Sequence, residues 1–99
     1  MATKYERDFQ KKLVKKLKET YPGCIVAKLD ANQHQGIPDL LILNGNKWAT
    51  LECKISKTAK RRPNQGYWVD KMNKMSFSRF IYPENEEEVL RELERTFKN

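Results

Sequence analysis

The sequence predicts an α/β domain in which a mixed β-sheet is flanked by helices, in the order α-β-β-β-α-β-α. Three observations carry this prediction. Residues 3–20 repeat apolar side chains at helical spacing. Two strand-like runs enclose Asn44-Gly45-Asn46, a turn sequence typical of β-hairpins. Beyond residue 63, helical and strand-like patterns alternate. The 99 residues suffice for one modest core, so residues 1–99 are expected to form a single domain.

The first element is a helix over residues 3–20. Thr3 and Glu6 have the spacing of a capping box at its start, and Pro22-Gly23 follows its end. Lysines occupy the outer face, and the apolar side chains form one stripe: Tyr5, Phe9, Leu13, Val14 and Leu17. We expect this stripe to pack on the sheet.

Glu6 lies within the apolar stripe of that helix. At about 100° per residue, Glu6 falls within roughly 20° of Leu13 and Leu17 on the helix surface. Capping would explain Glu6 on any face, but an inward carboxylate usually has a cation or a hydrogen-bond donor facing it. The two roles are compatible, and Glu6 is therefore a candidate site residue.

Three strand-like segments come next. A strand is predicted over residues 24–29, and a polar loop over residues 30–36 holds the only histidine, His34, which we expect to be solvated. The hairpin strands cover residues 40–43 and 47–55. Because strand side chains alternate, one face of the second hairpin strand carries Trp48, Thr50, Glu52 and Lys54, and the other carries Ala49, Leu51, Cys53 and Ile55.

The hairpin register decides where Asp39 lies. If Gly45-Asn46 is the two-residue turn, Asp39 falls opposite Glu52, and a turn one residue earlier places it opposite Thr50. Either register puts Asp39 on the face that carries Glu52 and Lys54. Two carboxylates and an ammonium group are therefore expected to converge within a few ångströms.

A basic loop leaves the strand that carries Glu52 and Lys54. Charge runs are usually solvated, but this one is placed to hold phosphates beside the two residues. Its candidate DNA-binding residues are Lys57, Lys60, Arg61 and Arg62.

Pro63 suits the first turn of a second helix, which is expected to run to about residue 73. Gln65 shares a stripe with Trp68, Val69 and Met72, so a semi-buried Gln65 should have a hydrogen-bond partner. The aromatic residues of this helix are expected in the core rather than as platforms for nucleobases.

A short strand over residues 78–82 and a terminal helix complete the domain. Asn85 and Glu88 repeat the capping-box spacing at the start of that helix. Its apolar stripe is Val89, Leu90, Leu93 and Phe97.

Composition narrows the classes of function. The chain has 20 Lys+Arg against 13 Asp+Glu, a net charge of +7, so a polyanion such as nucleic acid is an expected partner. Cys24 and Cys53 lack the spacing of a zinc site and are expected to be reduced and buried. No segment approaches the ~20 apolar residues of a membrane span. With no signal peptide at the start, a soluble cytoplasmic protein is expected.

The cluster of Asp39, Glu52 and Lys54 has two interpretations. One is a surface ion pair on an exposed sheet face, which is common and contributes little energy. The other is phosphodiester hydrolysis, because a divalent metal held by carboxylates neutralises the phosphate, activates water and assists the leaving oxygen. Asp39, Glu52 and the Cys53 backbone carbonyl would be ligands, and Lys54 would position the water. The inward Glu6 and the basic loop favour this second interpretation.

Three motifs occur in one order along the chain: Gly36-x-Pro38-Asp39, then Glu52-x-Lys54, then Gln65 on the following helix. Together with an acidic residue on the N-terminal helix, they resemble the VRR-NUC branch of the PD-(D/E)XK nuclease superfamily, in particular its small stand-alone phage and bacterial members. The resemblance covers nearly the whole chain. It implies a restriction-endonuclease-like core and cleavage of DNA that depends on Mg²⁺ or Mn²⁺.

The resemblance also implies a role for each matching residue: Asp39 and Glu52 as metal ligands, Lys54 as the catalytic lysine and Gln65 as the supporting helix residue. Glu6 would complete the acidic pocket directly or through water. Glu19 is acidic and on the same helix, but it lies off the inward arc and nearer the helix end.

Stand-alone members of this family are similar to Holliday-junction resolvases. The resemblance therefore implies a homodimer that acts on branched DNA, in the host cytoplasm if the chain is phage-encoded. Two other functions stay open. One is a non-catalytic basic module that binds nucleic acid, although such a module would gain affinity by losing Asp39 and Glu52. The other is a host-interaction protein that uses its basic face on an acidic partner.

Overall fold

The computed structural model describes residues 3–98 and confirms the predicted order of elements. Across this part of the chain, helices span Lys4–Thr20 (α1), Gln65–Met75 (α2) and Glu86–Lys98 (α3), and strands span Ile25–Lys28 (β1), Leu40–Asn44 (β2), Lys47–Cys53 (β3) and Phe77–Ile81 (β4). The strands form one open sheet in sequence order, with β1, β2 and β3 antiparallel and β4 parallel to β3. The chain is therefore an α/β protein with a mixed sheet.

The β2–β3 hairpin adopts the first of the two registers considered above. Its turn is Gly45-Asn46, where Gly45 has the positive φ of 64° that a tight hairpin turn requires. Leu40 pairs with Leu51. Asp39, one residue before Leu40, consequently lies opposite Glu52.

One face of the sheet is covered by α1 and α3, and the main hydrophobic core lies there. Leu13 from α1 and Leu93 from α3 are almost inaccessible to solvent, as their stripes predict. Tyr5 is 71% exposed because it lies in the first turn, about 80° around α1 from Leu13. The sheet side chains that belong to this hydrophobic core are Leu40, Ile42, Ala49, Leu51, Cys53, Phe77 and Ile81.

The opposite face of the sheet is covered by α2 across β3 and β4. Between these strands Thr50 donates a hydrogen bond to Ser78 at 2.7 Å, and Val69 of α2 is buried above them. The prediction that Pro63 lies in the first helical turn is wrong. Asn64 adopts a left-handed conformation with φ 70°, which a continuing helix excludes, so α2 begins at Gln65.

The prediction that the aromatic residues of α2 lie in the core is also wrong. Tyr67 is 58% exposed, Trp68 is half-buried, and neither belongs to the core cluster. Trp68 packs instead on the loop before β2, where its indole N–H donates to the Gln35 carbonyl at 3.0 Å. Helical spacing identified the stripe, but Trp68 bonds to that loop instead of joining the core.

The turn before α3 differs from the predicted capping box. The Asn85 side chain accepts the Tyr82 backbone N–H at 2.8 Å and donates to the Phe80 carbonyl at 3.0 Å. Asn85 therefore ties the turn back to the end of β4 instead of acting with Glu88.

Both cysteines are free thiols, as expected. Cys53 is buried in the core, but Cys24 is only half-buried, because it lies in the turn between α1 and β1. Over residues 3–98, none of the helices combines the length and the apolar character needed to cross a bilayer.

Candidate active site

Three carboxylates meet at one end of the sheet. Glu6 comes from the first turn of α1, Asp39 precedes β2, and Glu52 lies near the end of β3. Each offers an oxygen, and these oxygens all lie within 4.8 Å of one another. The hairpin register brings Asp39 to Glu52, and the Thr3 cap, which accepts the Glu6 N–H at 3.1 Å, starts α1 beside them. The structure thus assembles the acidic set that the sequence predicts.

Gly36 determines how closely the loop before β2 approaches the loop before α2. Its φ is +87°, and a Cβ there would lie 2.7 Å from both the Pro63 carbonyl oxygen and the Asn64 carbonyl carbon. Any side chain at this position would push the two loops apart. The close approach keeps Asp39 and Gln65 at the same end of the sheet.

Hydrogen bonds hold the Asp39 and Glu52 carboxylates of this cluster in place. One Asp39 oxygen, Oδ2, accepts the Cys53 backbone N–H at 2.9 Å. Gln65 Nε2 donates to Glu52 Oε2 at 3.1 Å, while Gln65 Oε1 accepts the Arg62 backbone N–H at 2.8 Å. Gln65 thus has the hydrogen-bond partners that its position predicts. The role of the Cys53 backbone carbonyl as a metal ligand stays a prediction.

When Glu52 is ionised, its second oxygen has no donor among residues 3–98, whereas a protonated Glu52 can share a hydrogen bond with Asp39. Within residues 3–98, Glu52 Oε1 is buried and accepts no hydrogen bond. Buried polar atoms are normally paired, and an orphan of this kind is an indication of a bound ion or an ordered water. The donor set around it consists of carboxylate oxygens, the ligands that Mg²⁺ and Mn²⁺ prefer.

Lys54 lies beside the carboxylates inside the protein. Its Nζ is 4.0 Å from Glu52 Oε2 and donates a hydrogen bond to the Lys60 carbonyl at 3.2 Å. Glu52 and Lys54 are only 2% and 6% exposed. The interpretation as an ion pair on an exposed sheet face is therefore wrong.

Burial governs the electrostatics of the cluster. It raises the pKa of Glu52 to about 9, with the negative charge of Asp39 adding to the effect and Lys54 opposing it. At 4.0 Å, Lys54 offsets only part of the cost of burying this carboxylate. Burial also raises the pKa of Glu6, against the opposing charges of Lys54 and Arg62. The site therefore accommodates its full negative charge poorly without a further cation.

The basic loop contributes unequally to the site. Lys60 and Arg62 line the cleft above the carboxylates, which has a volume of about 720 Å³. Arg61 lies 3.7 Å above the Phe80 ring, and the Lys57 backbone N–H bonds to the Glu84 carboxylate at 3.2 Å. Of the four predicted DNA-binding residues, the structure brings two to the cleft.

Sequence analysis missed several residues that complete the wall of the cleft. They come from the N-cap of α1 and from the loop before β2: Thr3, Ala31, Asn32, Gln35 and Ile37. Thr3 carries only its capping signal, and because loop contacts follow no periodic pattern, the other four positions carry no signal beyond their closeness to Asp39. His34 is exposed as predicted, but its ring packs edge to face on Trp68 rather than standing free.

Comparisons of this chain with protein-family models, with curated proteins and with solved structures found no match. The cleft with its three carboxylates, its buried lysine and its supporting glutamine therefore carries the functional argument.

Proposed function

We propose that this protein is a metal-dependent endodeoxyribonuclease with a restriction-endonuclease-like core, similar to the VRR-NUC branch of the PD-(D/E)XK nucleases. One observation carries the proposal. An oxygen from each of Glu6, Asp39 and Glu52 converges within 4.8 Å, and within residues 3–98 one Glu52 oxygen, Oε1, is buried and accepts no hydrogen bond. Beside them lies the buried ammonium of Lys54, 4.0 Å from Glu52 Oε2.

The residues present fit a hard divalent cation. Glu6, Asp39 and Glu52 would hold Mg²⁺ or Mn²⁺, with the Cys53 carbonyl as a further oxygen ligand. All are oxygen donors, and the raised pKa of Glu52 reflects a burial cost that a cation would offset. When bound, the metal supplies phosphate neutralisation, an activated water and stabilisation of the leaving oxygen.

The side chains of the protein do the positioning. The Cys53 N–H orients Asp39, and the Gln65 amide orients Glu52, so neither carboxylate rotates freely. Lys54, held by the Lys60 carbonyl, would orient the attacking water and balance the charge that develops on the phosphorus.

The charge of the chain supports DNA as the substrate. The net charge is +7, and Lys60 and Arg62 at the cleft would neutralise the phosphates that flank the scissile bond. The preference for branched DNA and the homodimer rest on the family resemblance. A two-fold dimer would present two such sites to the two symmetric strands of a junction.

Cleavage assays test this proposal. Purified protein is incubated with four-way junctions, flaps and linear duplexes in Mg²⁺, Mn²⁺ or EDTA. We expect cleavage only with metal, and none from Asp39→Asn, which keeps an acceptor for the Cys53 N–H. Glu19→Gln changes an exposed acid on α1 and serves as the matched control with full activity. Cleavage in EDTA, or by Asp39→Asn at the control rate, would refute the proposal.

The same experiment distinguishes the competing function. A non-catalytic binding module would bind every substrate with affinity that falls steeply with salt, and would cut none of them with any metal. Mn²⁺ binding measured by calorimetry gives a second readout. It should be lost in Asp39→Asn and kept in Glu19→Gln.

A further inference from the structure

A second cleft, of about 440 Å³, lies beside the candidate active site. We refer to it as the aromatic cleft, and its lining residues are Gln33, His34, Gln35, Asn64, Tyr67 and Trp68. Its volume falls within the roughly 300–1,000 Å³ of small-molecule sites. The lining combines three rings with three carboxamide side chains, so it offers both π surfaces and groups that donate and accept hydrogen bonds.

The three rings form one connected cluster. The Trp68 ring centroid lies 5.5 Å from that of His34 and 5.5 Å from that of Tyr67, with interplanar angles of 64° and 79°. Both pairs are edge to face, so no two of these adjacent rings cover each other as parallel stacks. Trp68 is anchored by its hydrogen bond to the Gln35 carbonyl, whereas Tyr67 is 58% exposed. The anchored Trp68 indole and the exposed Tyr67 phenol therefore form a pre-organised surface on which a planar ligand can lie.

The aromatic cleft is continuous with the cleft that holds the carboxylates. Gln35 lines both. Asn64 lines the aromatic cleft, and the next residue, Gln65, hydrogen-bonds to Glu52. The close backbone contact of Gly36 with Asn64 holds the two walls together. The two clefts therefore adjoin, and a single ligand can occupy both of them at once.

A cation lies next to Tyr67, one of the residues that line the aromatic cleft. Lys71, one turn after Tyr67, donates a hydrogen bond to the Tyr67 hydroxyl at 3.2 Å, and its ammonium lies 5.5 Å from the ring centroid. Lys71 is exposed. It can therefore contact an anionic group of a ligand whose planar part lies on the rings.

We propose that the aromatic cleft binds an unpaired nucleobase next to the phosphate that is cut. Every nucleobase has a π face that stacks on aromatic side chains, and the carboxamides of Gln33, Gln35 and Asn64 match the donors and acceptors on base edges. Bases inside a duplex are already stacked on both faces and cannot reach these rings. This inference rests on the proposed nuclease function and narrows its substrate to DNA that is unpaired beside the cleavage point.

Fluorescence tests the inference without requiring cleavage. Trp48→Phe leaves Trp68 as the only indole. In that background, with EDTA and at one fixed ionic strength, an oligothymidylate and a blunt duplex are titrated separately. The variants are Tyr67→Ala, which removes the exposed ring, and Tyr67→Phe, which keeps it. Met75→Ala is the matched control, because Met75 is 64% exposed on the same helix but lies outside the aromatic cleft.

We expect the oligothymidylate to quench Trp68 and to bind about tenfold more weakly to Tyr67→Ala than to Met75→Ala or Tyr67→Phe. The affinity for the blunt duplex should be equal in Tyr67→Ala, Tyr67→Phe and Met75→Ala. Unchanged Trp68 emission at saturation, or equal single-strand affinities for Tyr67→Ala and Met75→Ala, would overturn the inference. Failure of the nuclease proposal is a separate result, because it appears as absent metal-dependent cleavage by the unaltered protein while binding in EDTA is still measurable.

Discussion

Replacing Glu52 with Gln should make the metal-free protein more stable at neutral and alkaline pH. Glu52 is 2% exposed, and burial with the nearby Asp39 charge raises its pKa from 4.5 to about 9. Gln has nearly the same volume, and its carbonyl oxygen can still accept the hydrogen bond from Gln65. The substitution therefore removes the ionisable group, which the folded chain keeps protonated up to about pH 9, while leaving the packing and that bond in place.

The magnitude follows from proton linkage. Between pH 4.5 and 9 the folded chain keeps the Glu52 proton while the unfolded chain releases it. Because the unfolded state then binds fewer protons, the free energy of unfolding falls as pH rises. One such group changes stability by about 1.4 kcal/mol per pH unit, or on the order of 3 kcal/mol from pH 6 to pH 8. The raised pKa of Glu6 acts in the same direction, but it is common to both proteins.

Urea denaturation at pH 6, 7 and 8 in EDTA measures this difference. We expect the unfolding free energy of the wild-type protein to decline with pH by about 1.4 kcal/mol per unit more than that of Glu52→Gln. Glu19→Gln, on the exposed surface of α1, should follow the wild type. Adding Mg²⁺ in place of EDTA should flatten the slopes of the wild type and of Glu19→Gln, but not that of Glu52→Gln. Parallel pH profiles for the wild type and Glu52→Gln would refute the reasoning.

Three further predictions concern the loops, the lysine and the core. Gly36→Ala should lower the free energy of unfolding in urea by about 1–3 kcal/mol, because Gly36 has a positive φ and an added Cβ would lie 2.7 Å from the Pro63 carbonyl oxygen. Gly66→Ala is the control and should be neutral or stabilising, because a Cβ at that position of α2 meets open space. Lys54→Met should reduce metal-dependent cleavage by about 100-fold or more while calorimetry still detects Mn²⁺ binding; an unchanged rate would remove Lys54 from the mechanism. Leu93→Ala should cost about 2–5 kcal/mol, and a loss below 1 kcal/mol would contradict its place in the core.

Several features of the fold could be predicted from local pattern. Helical spacing and the Thr3 cap identified α1, and Asn44-Gly45-Asn46 identified the hairpin turn but left two registers open, of which the structure adopts the one with Gly45-Asn46 as the turn. Local sequence patterns fail to predict burial and element ends where contacts with another part of the chain decide them. Trp68 has the helical spacing of a core residue, but the loop before β2, not the sheet, accepts its indole N–H. Pro63 is a good first-turn residue, yet the contact of Asn64 with Gly36 moves the start of α2.

The sequence by itself determined which chemical groups converge, because strand alternation and the hairpin turn put Asp39, Glu52 and Lys54 on one face in either register. Only the tertiary structure decided that Glu52 and Lys54 on this face are buried, that Glu6 reaches it from α1, and that one oxygen of an ionised Glu52 has no donor in the described part of the chain. The alternation of side chains between the two faces is a property of a single strand, so it can be predicted from the residues of that strand alone. Burial depends on which helix covers the sheet, and that depends on contacts between residues far apart in the chain.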